Sequence, residues 1–315
     1  MEVVLNWPPG GSPGKPERPQ NGLCASRRVR CRFTHLEVSV SVSQLGRIAR
    51  TLVPVLFLLF LPTSVEAQLV TANSYGVTYG HIHLNVADAA LNTQIWVNHF
   101  GGVAAEKGPP AAVWLPGTLM MFAEREVSGG SQGSAIDHVG FKVRDYEVLL
   151  SGWRADGYEV QSEFAGTEGE RNAYLMTPDG VRVEVQEDPT IESVAEAYHV
   201  HFFVTDAEGL RDGYIEHYDA QPRVRGAIQV TADVPGMNLS YSQVESERTP
   251  TRGRAVDHIG FEVEGLEAFV QEMEAAGVVF DVPYREIASL GLAIAFYTDP
   301  AGVYVELTEG LADYR

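Results

Sequence analysis

The chain has 315 residues, 42 acidic against 23 basic side chains, a formal net charge of −19 and two cysteines. That length suffices for about two domains with their own cores, and 45% hydrophobic residues exclude a disordered chain. The acidic excess argues against nucleic acid or anionic lipid as partners, and two cysteines make neither a disulfide framework nor a thiolate zinc cluster.

Residues 1–45 are rich in Pro, Gly and Arg and show no sustained period. Arg47 and Arg50 then precede an apolar run from Leu52 to Leu61, followed by Thr63-Ser64-Val65-Glu66-Ala67. A basic start, a short apolar stretch and small residues before the cut read as a secretory signal ending at Ala67. Residues 1–67 are therefore expected to be removed, and the protein to be secreted or periplasmic. The run is short for a bilayer span, so no stable membrane anchor is expected. Cys24 and Cys31 both leave with this segment. The remaining 248 residues keep 38 acidic and 15 basic side chains and no cysteine, so an oxidising compartment does not affect them.

The rest of the chain is written twice. Gly80-His81-Ile82-His83-Leu84-Asn85-Val86-Ala87-Asp88 returns as Tyr198-His199-Val200-His201-Phe202-Phe203-Val204-Thr205-Asp206. Asp137-His138-Val139-Gly140-Phe141 returns as Asp257-His258-Ile259-Gly260-Phe261. Thr177-Pro178-Asp179-Gly180-Val181-Arg182-Val183-Glu184 returns as Asp299-Pro300-Ala301-Gly302-Val303-Tyr304-Val305-Glu306. The offsets grow only from 118 to 122 residues, as small loop insertions produce. The break at Asp188-Pro189 divides the repeat into domains at 68–190 and 196–315.

Each half repeats internally. A strand opening on His is followed by a helical stretch, at 88–100 and again at 145–156, and then by short strands. Pro116-Gly117 and Asp179-Gly180 mark turns between those strands. The expected fold is α+β, four βαβββ modules, two per domain. Alternation within the strands sorts their faces. In 81–86, Ile82, Leu84 and Val86 form the apolar side and His81, His83 and Asn85 the other. In 181–186, Val181, Val183 and Val185 oppose Arg182, Glu184 and Gln186. The apolar sides should pack under helices and the others line a concavity.

Eight of the nine histidines form matched pairs, 81/199, 83/201, 99/217 and 138/258. Strand-opening histidines and a strand Glu on polar faces suit a catalytic divalent metal, since two imidazoles and a carboxylate leave positions open for substrate. His83 and His201 share a face with these residues and suit proton transfer or a hydrogen bond to substrate. His99 and His217, near helix ends, read as structural. Gly140 and Gly260 suit either close approach of a ligand or simple packing.

In these motifs the sequence resembles the vicinal oxygen chelate superfamily, which includes glyoxalase I, extradiol dioxygenases and the bleomycin-resistance binders. The carriers are the His openings at His81, His138, His199 and His258 and the Pro-x-Gly-x-x-x-Glu endings at Glu184 and Glu306. The resemblance spans nearly all of 79–309. It implies two metal triads, His81/His138/Glu184 and His199/His258/Glu306, with one divalent ion (iron, manganese, nickel or zinc) per domain. Met121 and Ser240 stand where some members carry a fourth ligand. Tyr174, ten residues before Glu184, resembles a catalytic tyrosine of the dioxygenase branch; Phe296 takes its place in the second half. The activity implied is that of a dioxygenase-like or lyase-like enzyme on a small oxygenated molecule. The rival reading is a metal-free protein that sequesters a small molecule in the same cups. The sequence leaves two ways to close those cups, within one chain or by pairing chains in a homodimer.

Overall fold

The computed structural model describes residues 68–314 except 107 and 109; the expected signal segment at 1–67 lies outside the described residues. The first module is β1 (Val77–Val86), α1 (Ala89–Phe100), β2 (Val103–Ala104), β3 (Ala111–Leu115) and β4 (Thr118–Glu124). The second is β5 (Ile136–Val143), α2 (Tyr146–Ala155), β6 (Glu159–Ala165), β7 (Arg171–Met176) and β8 (Arg182–Glu187). The third is β9 (Ala195–Val204), α3 (Ala207–Tyr218), β10 (Gln221–Arg225), β11 (Ile228–Val234) and β12 (Met237–Gln243). The fourth is β13 (Val256–Val263), α4 (Leu266–Ala275), β14 (Phe280–Ile287), β15 (Leu292–Thr298) and β16 (Tyr304–Glu309). The fold is α+β with four βαβββ modules, as expected from the repeats. Among the described residues no helix is long and apolar enough to cross a membrane.

The aspartate that closes the first-strand motif starts the helix in modules one and three. Asp88 accepts a hydrogen bond from the Leu91 N–H at 2.8 Å, and Asp206 one from Gly209 at 2.9 Å. Each supplies a partner for an orphan donor of the first helical turn. Gly101, at φ 70°, ends α1 in the left-handed conformation that glycine adopts without strain.

Two eight-stranded sheets hold the described strands, and their composition is nested. One runs β14-β15-β16-β13-β1-β4-β3-β2, joining modules one and four; the other runs β10-β11-β12-β9-β5-β8-β7-β6, joining modules two and three. Antiparallel pairs, β1 with β13 and β5 with β9, form the two joints. The outer modules of the chain thus make one cup and the inner modules another, each with strands from both halves. The connections at 125–135 and 244–255 carry the chain from one sheet to the other and bond to each other, Ser128 N–H to Gly253 O and Ala255 N–H to Gly129 O, both at 2.9 Å.

The apolar strand faces and the helices share one core. Helix α1 of the outer cup sends Trp96 against Phe141 of the inner sheet, with ring centroids 5.2 Å apart; α3 of the inner cup stacks Tyr218 on Phe261 of the outer sheet at 4.4 Å. Both helices pack on strands of their own sheet, α1 on β3 and β4 and α3 on β11 and β12, and reach the other sheet through these rings. A smaller cluster lies on the concave face of the outer cup and includes Trp114, Leu119, Met121, Ile294 and Leu311.

Candidate metal centres

Strand register decides which side chains meet. Across β1 and β13, His83 stands opposite His258 and His81 opposite Gly260. Across β5 and β9, His201 stands opposite His138 and His199 opposite Gly140. The parallel neighbours then bring Glu306 beside Gly260 and Glu184 beside Gly140. Two groups result among the described residues, His81/His83/His258/Glu306 and His138/His199/His201/Glu184, each with its ligand atoms within 4.8 Å of one another. This corrects the triads carried over from the resemblance. His81 does not meet His138 and Glu184, and His199 does not meet His258 and Glu306, because the sheets pair outer with outer and inner with inner modules. Both groups are complete within one chain.

In the outer cup, Nε2 of His81 and Nε2 of His258 each lie 2.9 Å from the same Glu306 oxygen, Oε2. Asp257 Oδ1 holds Nδ1 of His258 at 2.6 Å, and Asn85 donates to the other Asp257 oxygen at 2.8 Å. This places a hydrogen on Nδ1 of His258 and turns Nε2 inward. In the inner cup, Glu184 Oε2 lies 2.8 Å from Nε2 of His138 and 3.4 Å from Nε2 of His199. The close His138 approach lacks the alignment of a hydrogen bond. Asp137 Oδ1 holds Nδ1 of His138 at 2.8 Å, and Asn172 Nδ2 donates to Glu184 Oε1 at 2.5 Å.

Burial and mutual charge set the protonation of these groups. Burial pushes Glu184 and Glu306 up, but the surrounding imidazoles outweigh it and hold both carboxyls far below the usual range. Burial drives His199 down to about 4 and, with neighbouring histidines, drives His83 and His201 well below 6.5. His258 is opposed by burial yet rises to about 8 because Asp257 and Glu306 both bind it. His138 is raised for the same reasons by Asp137 and Glu184.

The donor set fits a divalent metal. Buried nitrogens without a hydrogen-bond partner include Nδ1 of His81, Nε2 of His83, Nε2 of His138, both ring nitrogens of His199 and Nδ1 of His201. Orphaned buried polar atoms are costly and rare, and imidazoles gathered around an ionised carboxylate are metal-ligand chemistry.

His83 and His201 belong inside these groups and not merely beside them; His201 Nε2 pairs with Ser242 Oγ at 2.9 Å. Tyr174 lies on β7 opposite Glu184, its ring 5.1 Å from that of His138 and 3.5 Å from the Arg182 guanidinium. Met121 and Ser240 are register partners of His83 and His201. His99 packs on Trp153 and pairs with Asp156 at 3.0 Å, a structural position. Gly140 and Gly260 resolve in favour of packing: a Cβ on either would come within 2.0 Å of an imidazole, that of His199 or His81. Sequence reasoning missed Asn172, Asp137, Asp257 and, in the inner cup, the buried Arg225, whose Nε donates to Ser240 Oγ at 3.2 Å.

No family model matches the sequence, and no curated protein does. Solved structures do. Glyoxalase I from Zea mays superposes with a TM-score of 0.60 at 15% identity, covering 74% of this chain and 92% of that one. A candidate dioxygenase from Bacillus subtilis superposes with a TM-score of 0.56 at 11% identity, covering 77% and 86%. At such identities the likeness is one of fold: the chain has the two-domain vicinal oxygen chelate fold.

Proposed function

We propose that this protein is a metal-dependent enzyme of the vicinal oxygen chelate type, dioxygenase-like or lyase-like, acting on a small oxygenated molecule. The observation that carries the reading is the pair of three-histidine, one-glutamate groups, in each of which buried ring nitrogens lack hydrogen-bond partners. His81, His258 and Glu306 would hold one ion and His138, His199 and Glu184 the other. A divalent metal supplies Lewis-acid polarisation of neighbouring substrate oxygens and, as iron, redox chemistry with dioxygen.

The chain's own residues supply the rest. Asn172 fixes Glu184, and Asp137 and Asp257 fix the rings of His138 and His258, so the ligands keep their orientation. His201, neutral through burial and held by Ser242, is placed to take a proton from substrate. Burial keeps the Tyr174 phenol protonated, a donor beside His138. Export through the segment at 1–67 belongs to the same reading; cytosolic thiol-conjugate or coenzyme A substrates then become poor candidates.

Metal content after reconstitution with iron, manganese, nickel and zinc tests the proposal. Two equivalents per chain, reduced to one by Glu184→Gln or by Glu306→Gln, support it. Absence of stoichiometric metal overturns it in favour of a metal-free binding protein. Oxygen uptake with catecholic substrates then separates dioxygenase from lyase chemistry.

A further inference from the structure

The two cups share ligands but not walls. The inner cup carries Arg182, Tyr174, Asn172, Gln186 and Ser240 where register puts Tyr304, Phe296, Ile294, Thr308 and Met121 in the outer one. Polar and cationic side chains thus line one site, and an apolar cluster lines the other. Arg225, only 3% exposed, is the least expected of them. A buried guanidinium needs an anion, because leaving its charge uncompensated is strongly destabilising.

Its nearest carboxylate comes from a hairpin tip. Glu168 sits between Gly166 and Gly169 in the turn joining β6 to β7, and Thr167 beside it meets Gly226, the turn residue after Arg225. The tips of the second and third modules therefore touch, and their Glu and Arg face each other. One oxygen of Glu168, Oε2, accepts a hydrogen bond from the Tyr198 hydroxyl at 2.6 Å. The same atom lies 3.4 Å from Gln186 Nε2 and 3.7 Å from Arg225 Nη1. Three donors from three strands converge on one carboxylate oxygen, with two of them farther off than a charge-assisted bond prefers. Tyr198 precedes the ligand His199 in sequence and Gln186 lies two residues after Glu184 on the same strand face, so these donors stand beside the metal group.

We propose that Tyr198, Gln186 and Arg225 form a carboxylate-recognition subsite of the inner cup, occupied in this state by Glu168, and that the substrate of this cup carries a carboxylate that displaces it. The outer cup has Gly80 and Thr308 at the positions of Tyr198 and Gln186 and takes no such ligand. This rests on the metal-enzyme reading of the inner cup, and the probes are chosen to separate the two.

Calorimetric titration of the reconstituted protein with catechol, benzoate, 3,4-dihydroxybenzoate and the longer 3-(3,4-dihydroxyphenyl)propanoate tests it. A carboxylated catechol should bind roughly tenfold tighter than catechol, the worth of one charge-assisted contact. Glu168→Gln, on an exposed turn, should tighten the carboxylated probes several-fold and leave catechol unchanged. Tyr198→Phe should remove most of the tenfold preference. Benzoate binding that Glu168→Gln strengthens, with catechol silent, keeps the subsite and sinks the chelating-substrate reading. Catechol binding with no gain from either carboxylate, or from Glu168→Gln, overturns the subsite and leaves that reading standing. Silence from all four probes overturns both.

Discussion

The His81 imidazole rests on the backbone of Gly260, so close that a Cβ there would stand 2.0 Å from its Cε1. His199 rests on Gly140 in the same way. A glycine in the second half of the chain thus makes room for a ligand from the first, 179 positions away in number. Gly260→Ala should expel the His81 ring, lower metal content from two to one per chain and cost about 1–3 kcal/mol of stability. Metal analysis and thermal unfolding check it; Gly260→Ala with full metal content would contradict the geometry.

The nested pairing makes double variants diagnostic. His81→Ala with Glu306→Gln strikes one group twice, so metal content should stay near one per chain, as for either change alone. His81→Ala with Glu184→Gln strikes both groups and should leave none. The opposite pattern would mean that consecutive modules share an ion. Elemental analysis of four purified proteins decides.

The residue types of both centres were legible in the sequence; their grouping was not. Period-two alternation shows which side of a strand a histidine occupies, but not which strand lies next to it. β1 finds the same surface on β5 and β13, since His138-Val139-Gly140 and His258-Ile259-Gly260 offer an identical His and Gly two residues apart. The choice is made by the crossing connections and by helix packing, which local pattern does not encode. Arg225 escaped notice for a similar reason. It stands two residues after Arg223 on a short strand, where regular alternation would put both on one face; the irregularity in the pairing between them leaves one exposed and the other buried. The Asp before His138 and His258 was in plain view as part of the repeated motif, and its hydrogen bond to the ring gives it a role.

That hydrogen bond should be measurable. Asp257→Asn and Asp137→Asn remove the carboxylate that fixes each ring and raises ligand basicity. Affinity at the corresponding centre should fall about 10–100-fold while the other is unchanged. Competition with a chelator, read separately in Glu184→Gln and Glu306→Gln backgrounds, isolates each centre.

Glu262 links pH to stability away from the metal groups. Its carboxylate accepts bonds from Thr308 Oγ1 and from the Gly310 and Leu311 N–H groups, at 2.7–2.9 Å. Burial nevertheless dominates and pushes it from 4.5 up to about 7. A carboxyl raised on folding favours the protonated state, so its stabilisation is present below 4.5 and lost as pH rises to about 7. The loss is at most about 3 kcal/mol. Asp299, raised to about 6 chiefly by burial, acts in the same direction. Denaturant unfolding of wild type should therefore fall more steeply over this interval than that of Glu262→Gln. Parallel curves would remove Glu262 from the account.

His81 and Glu306 are 225 positions apart, yet share one hydrogen bond. The inner cup has all its strands once residue 243 has been made; the outer one waits for the last strand, β16. Closing so long a loop is slow relative to local pairing. During synthesis the two centres therefore mature in a fixed order, inner then outer. Because β1 must wait unpaired on one edge until β13 arrives, a ribosome stalled after β12 has left its exit tunnel and before β13 has done so would hold a nascent chain with one candidate centre complete and the other not.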